Sequence, residues 1–257
     1  MSETRAVLPI ISFFKVLIYI PILNVLVFFY AFFGHNLALA IAALTVLIRA
    51  VLIPVTLPSL KGAAKQRELA PQLSALKKKY GANKTTLAQE QMKLYKEHGF
   101  NPAAGCLPQI VQLLLLIVLY QVLIDIFRHN PAYFNEMLYF PFLKFSQADV
   151  FNTTFFYIDL AKKDPYYVLP ILAGLSQLVL SKITMPQAKK MEKLAEKTPD
   201  KQDDVMYNMQ KQMIYMMPIM TVFIGISLPS GLVLYWFLTT VFGIAQQWIL
   251  NKRLLKK

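Results

Sequence analysis

The sequence predicts an all-α polytopic membrane protein with five transmembrane crossings and a cytoplasmic helical hairpin. Three observations carry that prediction: the composition, the recurrence of long apolar runs, and the sorting of charge between them. Of 257 residues, 56% are hydrophobic, 13% aromatic and only 16% charged, which is outside the range of soluble domains. The apolar runs approach or exceed the roughly 20 residues that cross about 30 Å of hydrocarbon as a helix. Barrel strands would be about half as long and would alternate polar with apolar.

Six apolar segments can be marked: Ile10 to Phe33, Leu37 to Leu60, Ala103 to Phe127, Tyr166 to Met185, Met213 to Leu228 and Gly231 to Leu250. The first contains Lys15, Pro21 and Asn24 and is separated from the second only by Gly34-His35-Asn36. It is either an extra span in a tight hairpin or a helix lying in the interface.

The net charge of +13 reads as topology, because the cations are concentrated between spans and at the tail. Between Lys61 and Asn101 there are nine Lys or Arg against Glu68, Glu90 and Glu97, so this loop is cytoplasmic. Arg128 to Pro165 is balanced in charge, rich in aromatics and broken by Pro131 and Pro141, as expected of an external loop resting on the membrane. Pro186 to Lys211, with six lysines and five acids, is neutral in the argument. The tail from Asn251 is basic and places the C-terminus inside.

Within the basic loop, Leu69, Leu73, Leu76 and Tyr80 fall on one helical stripe, and Leu87, Gln91, Leu94 and His98 repeat the spacing after Gly81-Ala82-Asn83. Two helices around that turn form an antiparallel hairpin, with Pro71 near the start of the first. Met213 to Leu228 rises only about 24 Å, so the bilayer thins there or the helix borrows flanking residues. The methionines around it, Met213, Met216, Met217 and Met220 among them, suit core packing or an adaptable client surface.

Arg49 is the residue that demands an account. It lies about 17 Å from either end of its apolar run, too deep for snorkelling, and an unpaired charge there costs at least about 2.5 to 3.5 kcal/mol. The choice is between a structural ion pair and a wet groove with a fixed positive charge. No carboxylate lies deep in another span, and Asp125 is near the outer end of its own, which favours the groove. Candidate lining residues are Gln112, Ser176, Gln177, Trp236 and Thr240.

One cysteine, Cys106, excludes an internal disulfide, and His35, His98 and His129 lack metal-ligand spacing. No catalytic constellation or phosphate-cradling loop is evident, so no enzyme, metal or cofactor is expected. The N-terminus has neither a cleavable-signal layout nor an Arg-rich transit peptide, making a bacterial plasma membrane the simplest address.

The run Leu44-Thr-Val-Leu-Ile-Arg49-Ala-Val-Leu-Ile-Pro54, then Glu68-Leu-Ala-Pro71, Lys78-Lys79-Tyr80, Leu94 through Pro108 and Gln112, resembles the YidC/Oxa/Alb membrane protein insertases, in the short form that lacks a large periplasmic domain. The similarity continues through Ile158-Asp159-Leu160, Asp164 to Pro170, Pro229 to Trp236 and Gln246-Gln247. The resemblance implies a five-helix core holding a hydrophilic groove open to the cytoplasm and to lipid, with Arg49, Gln177 and Trp236 among its lining. It also implies that the Pro21 segment is the external interfacial helix. Two departures stand out: Leu114 where the family often has proline, and Thr240 where an asparagine commonly follows.

The resulting organisation is an interfacial helix or extra span over residues 1–36, crossings at 37–60, 103–127, 166–185, 212–228 and 231–250, a cytoplasmic hairpin at 61–102, an external loop at 128–165, a second cytoplasmic loop at 186–211 and a basic tail at 251–257. The function this implies is insertion and assisted folding of nascent membrane proteins, alone or with a Sec-type translocon, without nucleic-acid specificity. Lys77, Lys78, Lys79 and Lys84 are the expected contacts for clients or the ribosome. A small-solute or proton transporter, or a structural assembly subunit, is the alternative, but a lone arginine without repeat symmetry argues poorly for transport.

Overall fold

The computed structural model describes residues 15–80, 83–99, 107–184 and 203–254. A π-helical turn over Lys15–Tyr19 leads into helix α1, Ile20–Phe32, with Pro21 in the first turn, where its missing N–H breaks no helical bond. The chain then reverses through Gly34 and His35, both at positive φ. Asn36 caps helix α2, Leu37–Val51, by accepting the Leu39 N–H at 3.1 Å.

Helix α2 breaks at Leu52, and α3 runs from Ile53 to Tyr80 without interruption. The helix boundary therefore falls inside the apolar run, and none occurs at its inner end near Leu60. Pro54 is the physical reason: it brings no N–H to the Ala50 carbonyl and its ring crowds that carbonyl. Pro71 is in the interior of α3, not near a helix start as the stripe suggested.

Asn83 caps α4, Lys84–Glu97, through the Thr86 N–H, and α4 packs against α3. The amphipathic stripe is visible in the burial. Leu69 is buried and Leu73, Leu76, Tyr80, Leu87, Gln91, Leu94 and His98 are half-buried, while Glu68, Gln72, Lys79, Gln89 and Lys93 are exposed. The turn at 81–82 is outside the described residues.

Helix α5 spans Leu107–Arg128. The segment after it makes two 3-10 turns, Pro131–Phe134 and Pro141–Leu143, and a small antiparallel hairpin of β1, Thr154–Phe155, and β2, Ile158–Asp159. Helices α6, Val168–Thr184, α7, Asp203–Ser227, and α8, Ser230–Leu254, complete the described chain. The shortness inferred for 213–228 belongs to its apolar stretch; the helix itself extends inward to Asp203.

By length and composition, Lys15–Phe32, Ile110–Arg128 and Ser230–Leu250 can each cross a membrane, and Leu37–Val51, Val168–Thr184 and Ile214–Ser227 are shorter apolar helices. Helix α6 packs closely on α7 because Gly174 lies against Val222 and the Pro218 carbonyl, and Gly225 against Pro170. Small residues at crossings are how helices approach where lipid supplies no hydrophobic drive. Helix α8 packs on α6 and α2, and α1 on α2.

The segment between α5 and α6 forms a cap over one end of this bundle. Asn24 of α1, 5% exposed, donates to the Met137 carbonyl and accepts the Tyr139 N–H at 2.7 Å. The Tyr30 hydroxyl accepts the Asn152 N–H, and Tyr19 donates to Asp125 at 2.6 Å. Beneath the cap, Phe134, Leu143, Phe151 and Leu160 merge into one apolar core with Leu23 and Leu26 of α1, Ile41 and Leu44 of α2, and Leu119 and Leu123 of α5.

Two joints fix the cap to the helix starts. Ser230 and Gly231 donate their N–H groups to the Lys162 and Leu160 carbonyls at 2.7 and 2.9 Å, so loop backbone satisfies the start of α8. Asp164, 3% exposed, accepts the Tyr166 N–H at 3.0 Å and the Leu169 N–H at 2.7 Å, closing the start of α6. Burial pushes the Asp159 carboxyl up, but hydrogen bonds from Thr153 and the Ala161 N–H, with Lys162 beside it, outweigh this and hold it below the usual carboxylate range.

Replacing Asp164 by Ala leaves both buried N–H groups without an acceptor and should cost about 2 kcal/mol or more. Asp164→Asn, which keeps one oxygen, should cost less. Thermal unfolding in detergent measures both; equal midpoints for Asp164→Ala and the parent would refute the capping role.

Candidate functional site

The packing changes character partway along the bundle. At the capped end the buried side chains are apolar as far as Leu44 on α2, Val118 on α5, Ala173 on α6 and Tyr235 on α8, apart from Asn24, Asp164 and Ser230, whose polar atoms are bonded to backbone. Beyond those levels the buried side chains described on the same four helices are Thr45, Ser176, Thr239, Thr240 and Gln247. Arg49, Gln112, Gln177 and Trp236 all lie just past that boundary, one on each helix, and all four are half-buried.

Arg49 occupies the last turn of α2, about 18 Å along the helix from Leu37. Among the described residues its guanidinium has no hydrogen bond or ion pair. Its position at the kink places it next to a backbone carbonyl that has lost its helical donor. Pro54 leaves the neighbouring Ala50 carbonyl without its usual donor.

Tyr235 of α8 is 1% exposed, and its hydroxyl accepts from Gln112 Nε2 of α5 at 3.2 Å. Gln112 and Tyr235 thus make a polar contact between two helices inside apolar surroundings, and α2, which carries Arg49, packs on α8.

The other predicted positions are distributed differently. Gln177 and Trp236 are half-buried at the same boundary and make no hydrogen bond among the described residues. Thr240, 3% exposed, donates to the Trp236 carbonyl at 2.9 Å, and Ser176 donates to Ala173 at 2.8 Å. Both hydroxyl protons are used within their own helices, so neither is given to another helix. Lys79 is exposed with its ammonium 4.9 Å from the Tyr80 ring centroid. The side chains of Lys77, Lys78 and Lys84, Cys106, and most of the second cytoplasmic loop are outside the described residues.

Sequence reasoning did not single out Tyr235, although its place beside Trp236 was within a recognised motif. It also missed the polar line running on toward the other end of α8: Thr239, whose buried hydroxyl has no partner among the described residues, and Gln246, which donates to Thr56 Oγ1 at 3.1 Å. Tyr235, Thr239 and Gln246 share one face at intervals of four and seven residues, a spacing the sequence displays.

Chemically, this arrangement offers a fixed cation, amide and hydroxyl groups, and room for no nucleophile–base pair among the residues gathered. Such groups can solvate a polar peptide segment or a carboxylate within the thickness of the bilayer. Among the described residues no three His, Cys, Asp or Glu side chains gather as metal ligands would.

Comparison with known proteins supports the same direction. The family described as 60Kd inner membrane protein matches residues 28–257. A protein of Listeria innocua named "Membrane protein insertase YidC 2" is 31% identical over 245 residues, covering 93% of this chain and 72% of that protein. Proteins named "Membrane protein insertase YidC" from Methylobacillus flagellatus and Haemophilus ducreyi are each 35% identical, over 85% and 92% of this chain. The chain spans only 33% and 37% of the length of those two relatives. With apolar helices of membrane character and a family match over nearly its whole length, the chain belongs to the 60Kd inner membrane protein family, the YidC/Oxa family of polytopic all-α membrane proteins.

Proposed function

We propose that this chain is a membrane protein insertase that admits polar segments of nascent membrane proteins to an intramembrane groove centred on Arg49, alone or with a Sec-type translocon. The observation that carries this reading is the switch from apolar to polar burial at the level of Arg49, Gln112, Gln177 and Trp236. A capped, largely apolar end and a remainder with polar buried side chains suit a groove open on one side only. The names of the relatives point the same way.

In this mechanism a client meets the basic α3–α4 hairpin on the cytoplasmic side. Its short polar segment enters beside Arg49, which attracts acids it carries, and its apolar helix then partitions sideways into lipid, driven by burial of apolar surface. The chain consumes no nucleotide. The capped end faces outside and the C-terminus lies in the cytoplasm, following the cations.

Helix α1 lies along the outer interface and does not cross. Four bonds support this: Tyr19 to Asp125, the two of Asn24 to the Met137 and Tyr139 backbone, and Asn152 to Tyr30 tie it along its length to the cap and the adjoining end of α5. A spanning helix would carry one of those ends across the bilayer.

Arg49→Ala should slow insertion of clients with acidic translocated tails into reconstituted vesicles by roughly fivefold or more, the equivalent of about 1 kcal/mol of lost attraction in a wet site. Arg49→Lys should retain most activity if charge is what matters. Unchanged insertion by Arg49→Ala removes this residue from the mechanism. Tyr235→Phe, which leaves the Gln112 amide short of an acceptor, should lower insertion with little change in the far-ultraviolet dichroism; wild-type rates would show the pair to be dispensable.

Cysteines introduced separately at Lys15 and His35, in a Cys106→Ser background, should react with a membrane-impermeant maleimide from the same side of oriented vesicles. Labelling from opposite sides would make 15–32 a span.

A further inference from the structure

Among the described residues, three other than glycine adopt positive φ: His35 at 64°, Phe156 at 51° and Tyr167 at 57°. Each carries backbone strain that a glycine would avoid. His35 packs its ring edge-on against Tyr30, with centroids 5.2 Å apart, so an internal contact accompanies that strain. Phe156 is 87% exposed although one edge of its ring meets that of Phe155, centroids 4.6 Å apart, and Tyr167 is 48% exposed.

Phe156 is the first turn residue of the β1–β2 hairpin, at a place where glycine would be free of strain. Beside it, Tyr157 packs its ring 5.6 Å from that of Tyr166, which is 70% exposed. Asp164 holds this group by accepting the Tyr166 N–H and the Tyr157 hydroxyl. The hairpin in turn is bonded to the start of α8 through Leu160 and Lys162. Phe156, Tyr157, Tyr166 and Tyr167 therefore form a braced aromatic lip where α6 and α8 begin.

What covers the lip follows from its continuity with α6. Val168, Ile171, Leu172, Leu175 and Val179 are 40–55% exposed and recur at helical spacing, forming one apolar stripe that starts where the lip ends. On a membrane protein such a stripe faces acyl chains, and the next level outward is the glycerol and headgroup zone, where Tyr and other aromatic side chains partition.

We propose that this lip inserts into the interfacial zone of the leaflet on the capped side, with phospholipid as its partner. It anchors the cap and the adjoining ends of α6 and α8 at a fixed depth. The backbone strain at Phe156 and Tyr167 is then offset by lipid contact. This inference requires only the membrane-embedded fold and stands apart from the insertase reading.

The test is depth measurement by electron paramagnetic resonance. Nitroxides are attached to Phe156→Cys, Tyr166→Cys and, as a reference from the same loop, the exposed Lys163→Cys, each in a Cys106→Ser background in phosphatidylcholine–phosphatidylglycerol vesicles. Positions 156 and 166 should collide with lipid-soluble oxygen in preference to a water-soluble nickel chelate, and position 163 should show the reverse. Tyr166→Cys guards against distortion of the strained tip. If either lip position behaves like 163, the lip is in water and the proposal fails. If both reagents are excluded from 156 and 166, a protein surface covers the lip, which overturns lipid as the partner.

Discussion

A guanidinium cannot be left bare in hydrocarbon, and the inner half of this bundle is organised around that constraint. At least about 2.5 to 3.5 kcal/mol would be lost by placing Arg49 in lipid without compensation. The usual remedy, a buried carboxylate, is not supplied by the described residues. The chain uses two weaker ones together: a kink at Leu52, where Pro54 leaves the Ala50 carbonyl open, and buried hydroxyl and amide side chains on the flanking helices.

Such a loosened polar region needs a firm partner elsewhere, and the capped end provides it. There, Asn24 and Asp164 are buried polar groups whose bonds go to loop backbone, converting an irregular segment into a fixed lid. Leu160 and Lys162 close the start of α8 in the same way, only one turn above Tyr235. The depth of the Gln112–Tyr235 contact is thus set from the capped side, where apolar packing is densest. Close approach of α6 and α7 through Gly174 and Gly225 lets that order persist along one wall.

Much of this was legible in the chain. The all-α membrane class followed from apolar run length, the amphipathic stripes of α3 and α4 from spacing, and the placement of Arg49 far along an apolar helix from its position in the run. The harder features depended on tertiary context. Pro54 was visible, but whether a proline ends a helix or merely bends it is decided by what else can bond the freed carbonyls, which is why Pro58 and Pro71 sit inside α3 while Leu52 marks a break. Tyr235 was hidden because an aromatic near a span end has an ordinary explanation; only its burial and the Gln112 bond set it apart. Thr240 shows the opposite limit: the depth of its hydroxyl is legible in the sequence, but not that the proton is used on its own helix.

The missing carboxylate also bears on what Arg49 is for. A partner such as Asp would hold the guanidinium through two strong hydrogen bonds and cancel its field, leaving little for an incoming acid to gain. Among the described residues no acceptor takes the donors of the guanidinium, and the Ala50 carbonyl that Pro54 leaves open lowers the cost of the charge without neutralising it at a distance. Under the proposed insertase reading, that arrangement favours attraction of clients over hydration alone as the role of the charge, since a neutral amide such as Gln would keep a cavity wet at far lower cost.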